Sequence, residues 1–162
     1  MQGACSVTRL MRFGLLLNGE SVGYPILNDI LVAHANPAAV SKYDIHLEEG
    51  AETQKSSGIW IATPAGSTAA IRSAGGYVLP LESQTIQYLI REPCPPPARS
   101  YRHLKGIRSI RAPFSIHSRM DEGQLYLDGP HLALPFQTGD RLEINPEVPP
   151  LSILGMKEKN RA

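Results

Sequence analysis

The stretch Thr63-Pro64-Ala65-Gly66-Ser67-Thr68 joins an apolar run, Ile59-Trp60-Ile61-Ala62, to a segment of good or neutral helix formers, Ala69-Ala70-Ile71-Arg72-Ser73-Ala74. A strand that ends in a Gly-Ser-Thr loop and opens a short helix leaves several backbone N–H groups without intrahelical partners. Those donors, with the hydroxyls of Ser67 and Thr68, suit a phosphate, ribose or amide group of a ligand. No lysine follows Gly66, so the loop is not a P-loop, and Gly75-Gly76-Tyr77 is not a dinucleotide fingerprint. Read locally, the plainer account is that Ser67 or Thr68 caps the helix and Gly75-Gly76 stops it. Asn28-Asp29 is the second place where chemistry could sit, because it interrupts the apolar run Ile26 to Val32. Neighbours in a strand face opposite ways, so one of the two would point toward the core or a cleft. Burial there without a partner would cost about 1–3 kcal/mol. The alternative is an edge strand or bulge with both side chains wet.

The scaffold for these two places reads as strands. Leu10 to Leu17 runs into Asn18-Gly19, a pair that tolerates the positive φ of a type I′ turn, so a hairpin is expected. Val40 to Leu47 alternates, with Tyr43, Ile45 and Leu47 on one face, and Glu48-Glu49-Gly50 makes a turn. Gln84 to Arg91 is strand-like, and Pro93 with Pro95-Pro96-Pro97 forms a stiff connector that cannot join a sheet ladder. From Phe114 to Ile144 a meander is expected, with turns at Asp121-Glu122-Gly123, Asp128-Gly129-Pro130 and Gly139-Asp140. Lys157 to Ala162 reads as a polar tail. The fold class is therefore mainly β, a β-sandwich or related layered structure with one short helix after the Gly-Ser-Thr loop.

Composition narrows the partners. Sixteen Lys plus Arg against fifteen Asp plus Glu give a net charge of +1, which argues against generic nucleic-acid binding, since that needs a clear basic excess. Two cysteines, Cys5 and Cys94, are too few for a secreted disulfide scaffold and form no Cys-x-x-Cys pair, so a reducing, cytoplasmic setting is expected. The apolar run Leu15-Leu16-Leu17 is too short for a signal peptide or a membrane span, and the chain reads as soluble. The five histidines, His34, His46, His103, His117 and His131, show no metal-ligand spacing. Arg99, Arg102, Lys105, Arg108 and Arg111 could attract a nucleotide phosphate, or form the wet face of a loop and strand.

Taken together, Leu27-Asn28-Asp29-Ile30-Leu31-Val32, Gly58-Ile59-Trp60-Ile61-Ala62-Thr63-Pro64-Ala65-Gly66-Ser67-Thr68-Ala69 and Ser73-Ala74-Gly75-Gly76 resemble the C-terminal domain of NAD kinases. The resemblance covers roughly residues 9 to 155, including the opening hairpin and Gly139-Asp140-Arg141-Leu142-Glu143-Ile144. It implies an NAD kinase C-terminal-type β-sandwich over residues 1–156, an N-terminal α/β domain outside this chain, and NAD bound in the crevice between them. It also implies a dinucleotide contact by Asn28 with Asp29 as its acidic neighbour, substrate binding by Gly66 and Ser67 of the loop, and contacts to the adenosine and nicotinamide riboside parts from Thr68, Ala69 and Ser73. The chemistry implied is transfer of the γ-phosphoryl of ATP, or of polyphosphate, to the adenosine 2′-hydroxyl of NAD, giving NADP, with a divalent metal such as Mg2+ neutralising charge.

Three departures accompany the match. The family's Gly-Gly-Asp-Gly motif does not occur in this sequence, since the only Gly-Gly is Gly75-Gly76 and Tyr77 follows it. The chain thus resembles the substrate-binding half of such a kinase, expected to be inactive alone and to need a Gly-Gly-Asp-Gly domain as partner. Ser57 stands where many members carry an Asp that reaches a neighbouring subunit's ligand, which also implies a homo-oligomer, and Ala70 stands where a Tyr is common. The competing account is a dinucleotide-binding or regulatory module that never catalyses.

Overall fold

The strand boundaries follow the alternation of the sequence. In Ser41–Leu47 the side chains of Tyr43, Ile45 and Leu47 are buried and Lys42 is exposed, as a strand with one face on a core requires. The computed structural model describes residues 6–155. Within them lie β1 (Val7–Leu10), β2 (Gly14–Leu17), β3 (Glu20–Ser21), β4 (Asp29–His34), β5 (Ser41–Leu47), β6 (Gly50–Ser56) and β7 (Ile59–Ala62). A 3-10 turn (Gly66–Thr68) and the helix α1 (Ala70–Ser73) follow, then β8 (Thr85–Ile90), β9 (Lys105–Ser109), β10 (Phe114–Ser118), β11 (Gly123–Leu127), β12 (Leu132–Pro135), β13 (Arg141–Asn145) and β14 (Leu151–Leu154).

All the pairings are antiparallel. The first sheet has the order β3-β2-β13-β10-β5-β6, the second β12-β11-β4-β7-β8-β9, and β1 pairs with β14 in a separate ribbon. Leu15, Ile45, Ile116 and Leu142 from the first sheet and Ile30, Ile61, Ile86 and Leu125 from the second join one buried cluster. The two sheets therefore pack face to face, and each such side chain contributes about 1.5–3 kcal/mol by leaving water. The result is the expected mainly β sandwich, with its short helix after the Gly-Ser-Thr loop.

The Asn18-Gly19 hairpin forms, with Leu17 opposite Glu20 and φ of 55° and 85° at the two turn residues. Other expectations are corrected. Leu10 to Leu17 is two strands, because β1 serves the ribbon with β14 while β2 pairs with β13, and Phe13 between them bridges to Ile26. The strand expected over Ile26 to Val32 starts only at Asp29 and continues to His34. The segment from Phe114 to Ile144 is no single meander: β10 and β13 lie in the first sheet and β11 and β12 in the second, with Met120 and Phe136 buried near the crossings. Strand β6 is polar in sequence and sits at a sheet edge, where only Gln54 and Ser56 are buried, so apolar alternation could not reveal it. The polar tail lies outside the described residues, as does Cys5, and Cys94 is a free, exposed thiol.

Candidate functional site

Three chain segments meet where β4 begins. Asp29 stands opposite Ala62 at the end of β7, and Ile30 stands opposite Leu127 at the end of β11. The residues just outside these strand ends are therefore neighbours: Asn28, the turn from Thr63 to Ala69, and the Asp128-Gly129-Pro130 turn. Thr63 ties the first two together. Its N–H donates to the Asn28 carbonyl at 2.9 Å, its hydroxyl donates to the Leu27 carbonyl at 2.5 Å, and the Gly66 N–H donates to that hydroxyl at 3.1 Å. Gly66 lies so close that a Cβ there would sit 2.0 Å from the Asn28 carbonyl oxygen. Only glycine permits this approach.

Asp128 ties the third segment in. Its carboxylate accepts the N–H groups of Leu27 at 3.0 Å, Asn28 at 2.7 Å and Asp29 at 3.2 Å, while its own N–H donates to the Asp29 carbonyl at 2.9 Å. These segments wall a cavity of about 520 Å³, lined among others by Asn28, Asp29, Trp60, Ala69, Tyr126 and Asp128. Leu31, opposite both Trp60 and Tyr126 in the register, forms its apolar floor together with them. Because Ile30 and Val32 of β4 face the core, the alternating Asp29 and Leu31 put the cavity on the outer face of the second sheet. Burial raises the Asp29 pKa to about 6, and the neighbouring Asp128 charge adds to the shift. The cavity thus combines an apolar floor, an amide side chain and a carboxyl poised to titrate near neutrality, a pattern suited to an uncharged ring system with hydroxyl groups at its edge.

The helix is anchored by Ile71, fully buried against Ala62, Leu89 and Trp60. Gly75, at φ +96°, ends it. Gln87 then clips the chain that leaves it, accepting from the Tyr77 N–H at 2.9 Å and donating to the Tyr77 carbonyl at 2.7 Å. The helix-capping account of Ser67 and Thr68 is corrected, since no side chain caps either helical turn. Ser67 is wholly buried and uses its hydroxyl internally, donating to the Pro64 carbonyl at 2.7 Å and accepting the Leu79 N–H at 3.0 Å.

Of the residues singled out in the sequence, Asn28, Asp29 and Ala69 share the cavity, along with Ala70. The expectation that Gly66 and Ser67 bind substrate is corrected, since both are buried behind the cavity and serve the turn itself; Thr68 is exposed on the same turn, and Ser73 is exposed at the end of α1 and does not line the cavity. Ser57 lines a neighbouring hollow of about 300 Å³ that shares Leu31 and Tyr126 with the first. The expectation that the pair faces opposite ways is corrected: Asn28 precedes the strand rather than lying inside it, so both side chains line the cavity, Asp29 being the more deeply buried. Sequence reasoning missed Trp60, Tyr126 and Asp128 as site residues, having read Asp128 only as part of a turn. The period-two spacing of Tyr126 and Asp128 was a signal that they share a face, but it could not say which face.

Other candidates fall elsewhere. Arg102, Arg108 and Arg111 pair with Glu52, Glu49 and Glu147, and Lys105 lies over the Tyr77 ring at 4.7 Å, as on a wet charged face. His46 and His117 stack at 4.0 Å on the first sheet. Among the described residues no group of three His, Cys, Asp or Glu side chains converges as a metal site, and no helix is long and apolar enough to cross a membrane.

No family model matches the chain. A probable NADH kinase of Oryza sativa subsp. japonica is 37% identical over 160 residues, which is 95% of this chain and 49% of that protein. The chain is related to the NAD kinases. An NADH kinase of Arabidopsis thaliana is 36% identical over 99 residues, 61% of this chain and 31% of the relative. Among solved structures, yeast NADH kinase complexed with NADH superposes with a TM-score of 0.80 at 20% identity, over 97% of this chain and 48% of that one. An NAD kinase from Archaeoglobus fulgidus in complex with ATP gives 0.75 at 19% identity, over 95% and 57%. At such identities the structures establish that the NAD kinase fold is shared. The chain spans about half the length of the rice relative and of the yeast structure.

Proposed function

We propose that this chain is the dinucleotide-holding domain of an NAD or NADH kinase, with residues 1–156 forming that domain. The observation that carries the proposal is the convergence of Asn28, Asp29 and Ala69 on one cavity, in a chain 37% identical to a probable NADH kinase. In this reading Asn28 contacts the dinucleotide with Asp29 as its acidic neighbour, Thr68, Ala69 and Ser73 contact its adenosine and nicotinamide riboside parts, and Gly66 and Ser67 belong to the binding loop. Ser57, in the adjoining hollow, faces a ligand held by a second copy of the chain.

The reaction proposed for the whole enzyme is transfer of the γ-phosphoryl of ATP or polyphosphate to the adenosine 2′-hydroxyl. That step needs in-line positioning, a group to take the hydroxyl proton and charge neutralisation at the phosphates. This chain supplies the positioning. The proton acceptor is assigned to a Gly-Gly-Asp-Gly-bearing domain, because no Asp in this sequence follows two glycines. The divalent ion implied by the resemblance does not fit a resident site on the described residues. No three ligating side chains converge, and the Asp128 carboxylate is engaged by three backbone N–H groups.

The single tryptophan, Trp60, lines the cavity and gives the test. NADH added to the chain should quench Trp60 emission saturably, and Asn28→Ala should weaken that response about tenfold, the worth of one good hydrogen bond to a buried group. Quenching that neither saturates nor responds to Asn28→Ala would refute the assignment. The chain alone should form no NADP, whereas a mixture or fusion with a Gly-Gly-Asp-Gly domain should form it.

Ser57 and Ala70, in place of the family's acid and aromatic residues, favour a second reading as a non-catalytic dinucleotide module. Calorimetry separates the two. Tight NAD or NADH binding by the chain with no turnover beside any Gly-Gly-Asp-Gly partner supports the module, and binding that strengthens only beside the partner supports the kinase.

A further inference from the structure

Two residues assigned to the dinucleotide, Asn28 and Asp29, precede or begin a strand, where their N–H groups have no helix to satisfy them. The partner that satisfies them is one side chain 100 residues from Asn28 in the sequence. The Asp128 carboxylate accepts from Leu27, Asn28 and Asp29 in succession. Asp128 stands at φ +50° in the turn between β11 and β12, held by its own N–H on the Asp29 carbonyl. The contact is therefore reciprocal, and it fixes the backbone on both sides of the Asn28 side chain. A water in its place would satisfy the donors without fixing their direction, whereas one carboxylate taking three donors defines the bend.

We propose that Asp128 is a positioning residue of the dinucleotide site, holding the Leu27-Asn28-Asp29 bend so that the Asn28 amide and the Asp29 carboxyl face the cavity together. This rests on reading the cavity as the dinucleotide site. The arrangement also sets two carboxyl groups side by side. The remaining elements that wall the cavity offer Asp29 little other charge: β7 presents Trp60, the turn before α1 presents Ala69 and Ala70, β4 presents Leu31, and β11 presents the phenol of Tyr126. Asp128 is thus the acidic neighbour that acts on Asp29, and its charge adds to the effect of burial.

The test uses the full chain with Asp128→Asn, which keeps an acceptor oxygen but loses the charge, and Asp128→Ala, which loses both. NADH affinity is read by Trp60 quenching. The Asp29 side-chain titration and the Leu27, Asn28 and Asp29 amide resonances are read by NMR. Asp128→Asn should bring the Asp29 midpoint down from about 6, and Asp128→Ala should weaken NADH binding about tenfold and move the three amide resonances toward those of unbonded amides. A merely structural side chain would lower stability without moving NADH affinity or the three amide resonances, while the Asp29 midpoint reports only the loss of the neighbouring charge. Unchanged affinity in both variants, or unmoved amide resonances in Asp128→Ala, overturns the proposal. If the unsubstituted chain fails to bind NADH, the dinucleotide reading falls, and the amide resonances still decide whether Asp128 positions the bend.

Discussion

The Thr63 hydroxyl is shared between the Leu27 carbonyl and the Gly66 N–H, so Thr63→Ala strands two backbone groups in a protein interior. The expected loss is about 1–3 kcal/mol in urea unfolding, with most of it recovered in Thr63→Ser. Gly66→Ala should cost more, since its Cβ would meet backbone rather than a flexible side chain, and NADH binding should fall with it. Asp29 makes stability depend on pH. Its folded pKa of about 6 lies above the ordinary 3.8, so between those values the folded chain holds more protons than the unfolded one. Stability therefore falls as pH rises through that window and levels off above it. Asp44 acts in the opposite sense. Burial raises its pKa, but the Thr53 hydroxyl and Arg119 outweigh that and hold it below its ordinary value, so its contribution is present above the unfolded pKa and is lost as pH falls. The difference profile between the unsubstituted chain and Asp29→Asn isolates the first effect. Asp29→Asn should be more stable at pH 8 by on the order of 1 kcal/mol, with no gain at pH 4, as measured by thermal unfolding.

At the scale of elements, α1 has four residues, far below the length at which a helix persists alone in water. It exists because Ile71 plugs the outer face of the second sheet against Ala62, Leu89 and Trp60, while Gly75 ends it and Gln87 clips the chain that follows. Ile71→Ala should cost about 2–5 kcal/mol if the site does not collapse. Because the contact is with Trp60, emission should shift to the red and NADH affinity should fall even where the rest of the chain stays folded. An unshifted emission maximum would show that α1 is held by its connections instead. The helix was readable from Ala69-Ala70-Ile71-Arg72-Ser73-Ala74 and the glycines after it, since helix formers and left-handed caps are local signals. Strand β6 was not, because an edge strand with a polar sequence carries little apolar alternation for a reader to find.

At the scale of the molecule, both six-stranded sheets contribute to one buried cluster, so damage on one side should be felt on the other. Phe13, fully buried beside β2, should lose about 3–5 kcal/mol on change to Ala. The unfolding midpoint seen by Trp60 on the second sheet should move as far as the midpoint seen by circular dichroism. Separate transitions for the two probes would mean that the sheets unfold independently.

Short-range patterning in the sequence sets the local grammar of this protein: a strand-rich chain, a hairpin at Asn18-Gly19, and a loop from Thr63 to Thr68 that opens a short helix. It also carried enough motif to mark Asn28 and Asp29 beside that loop. These features depend on side-chain periodicity and turn chemistry, which act over a few residues. Tertiary structure alone decided that β10 and β13 share one sheet while β11 and β12 share the other, and that Ser67 is buried while Thr68 is exposed. It alone brought Asp128 under Asn28, because β4 pairs with β11 and sheet register between strands so far apart in sequence is set by burial of the common core, which no local pattern encodes.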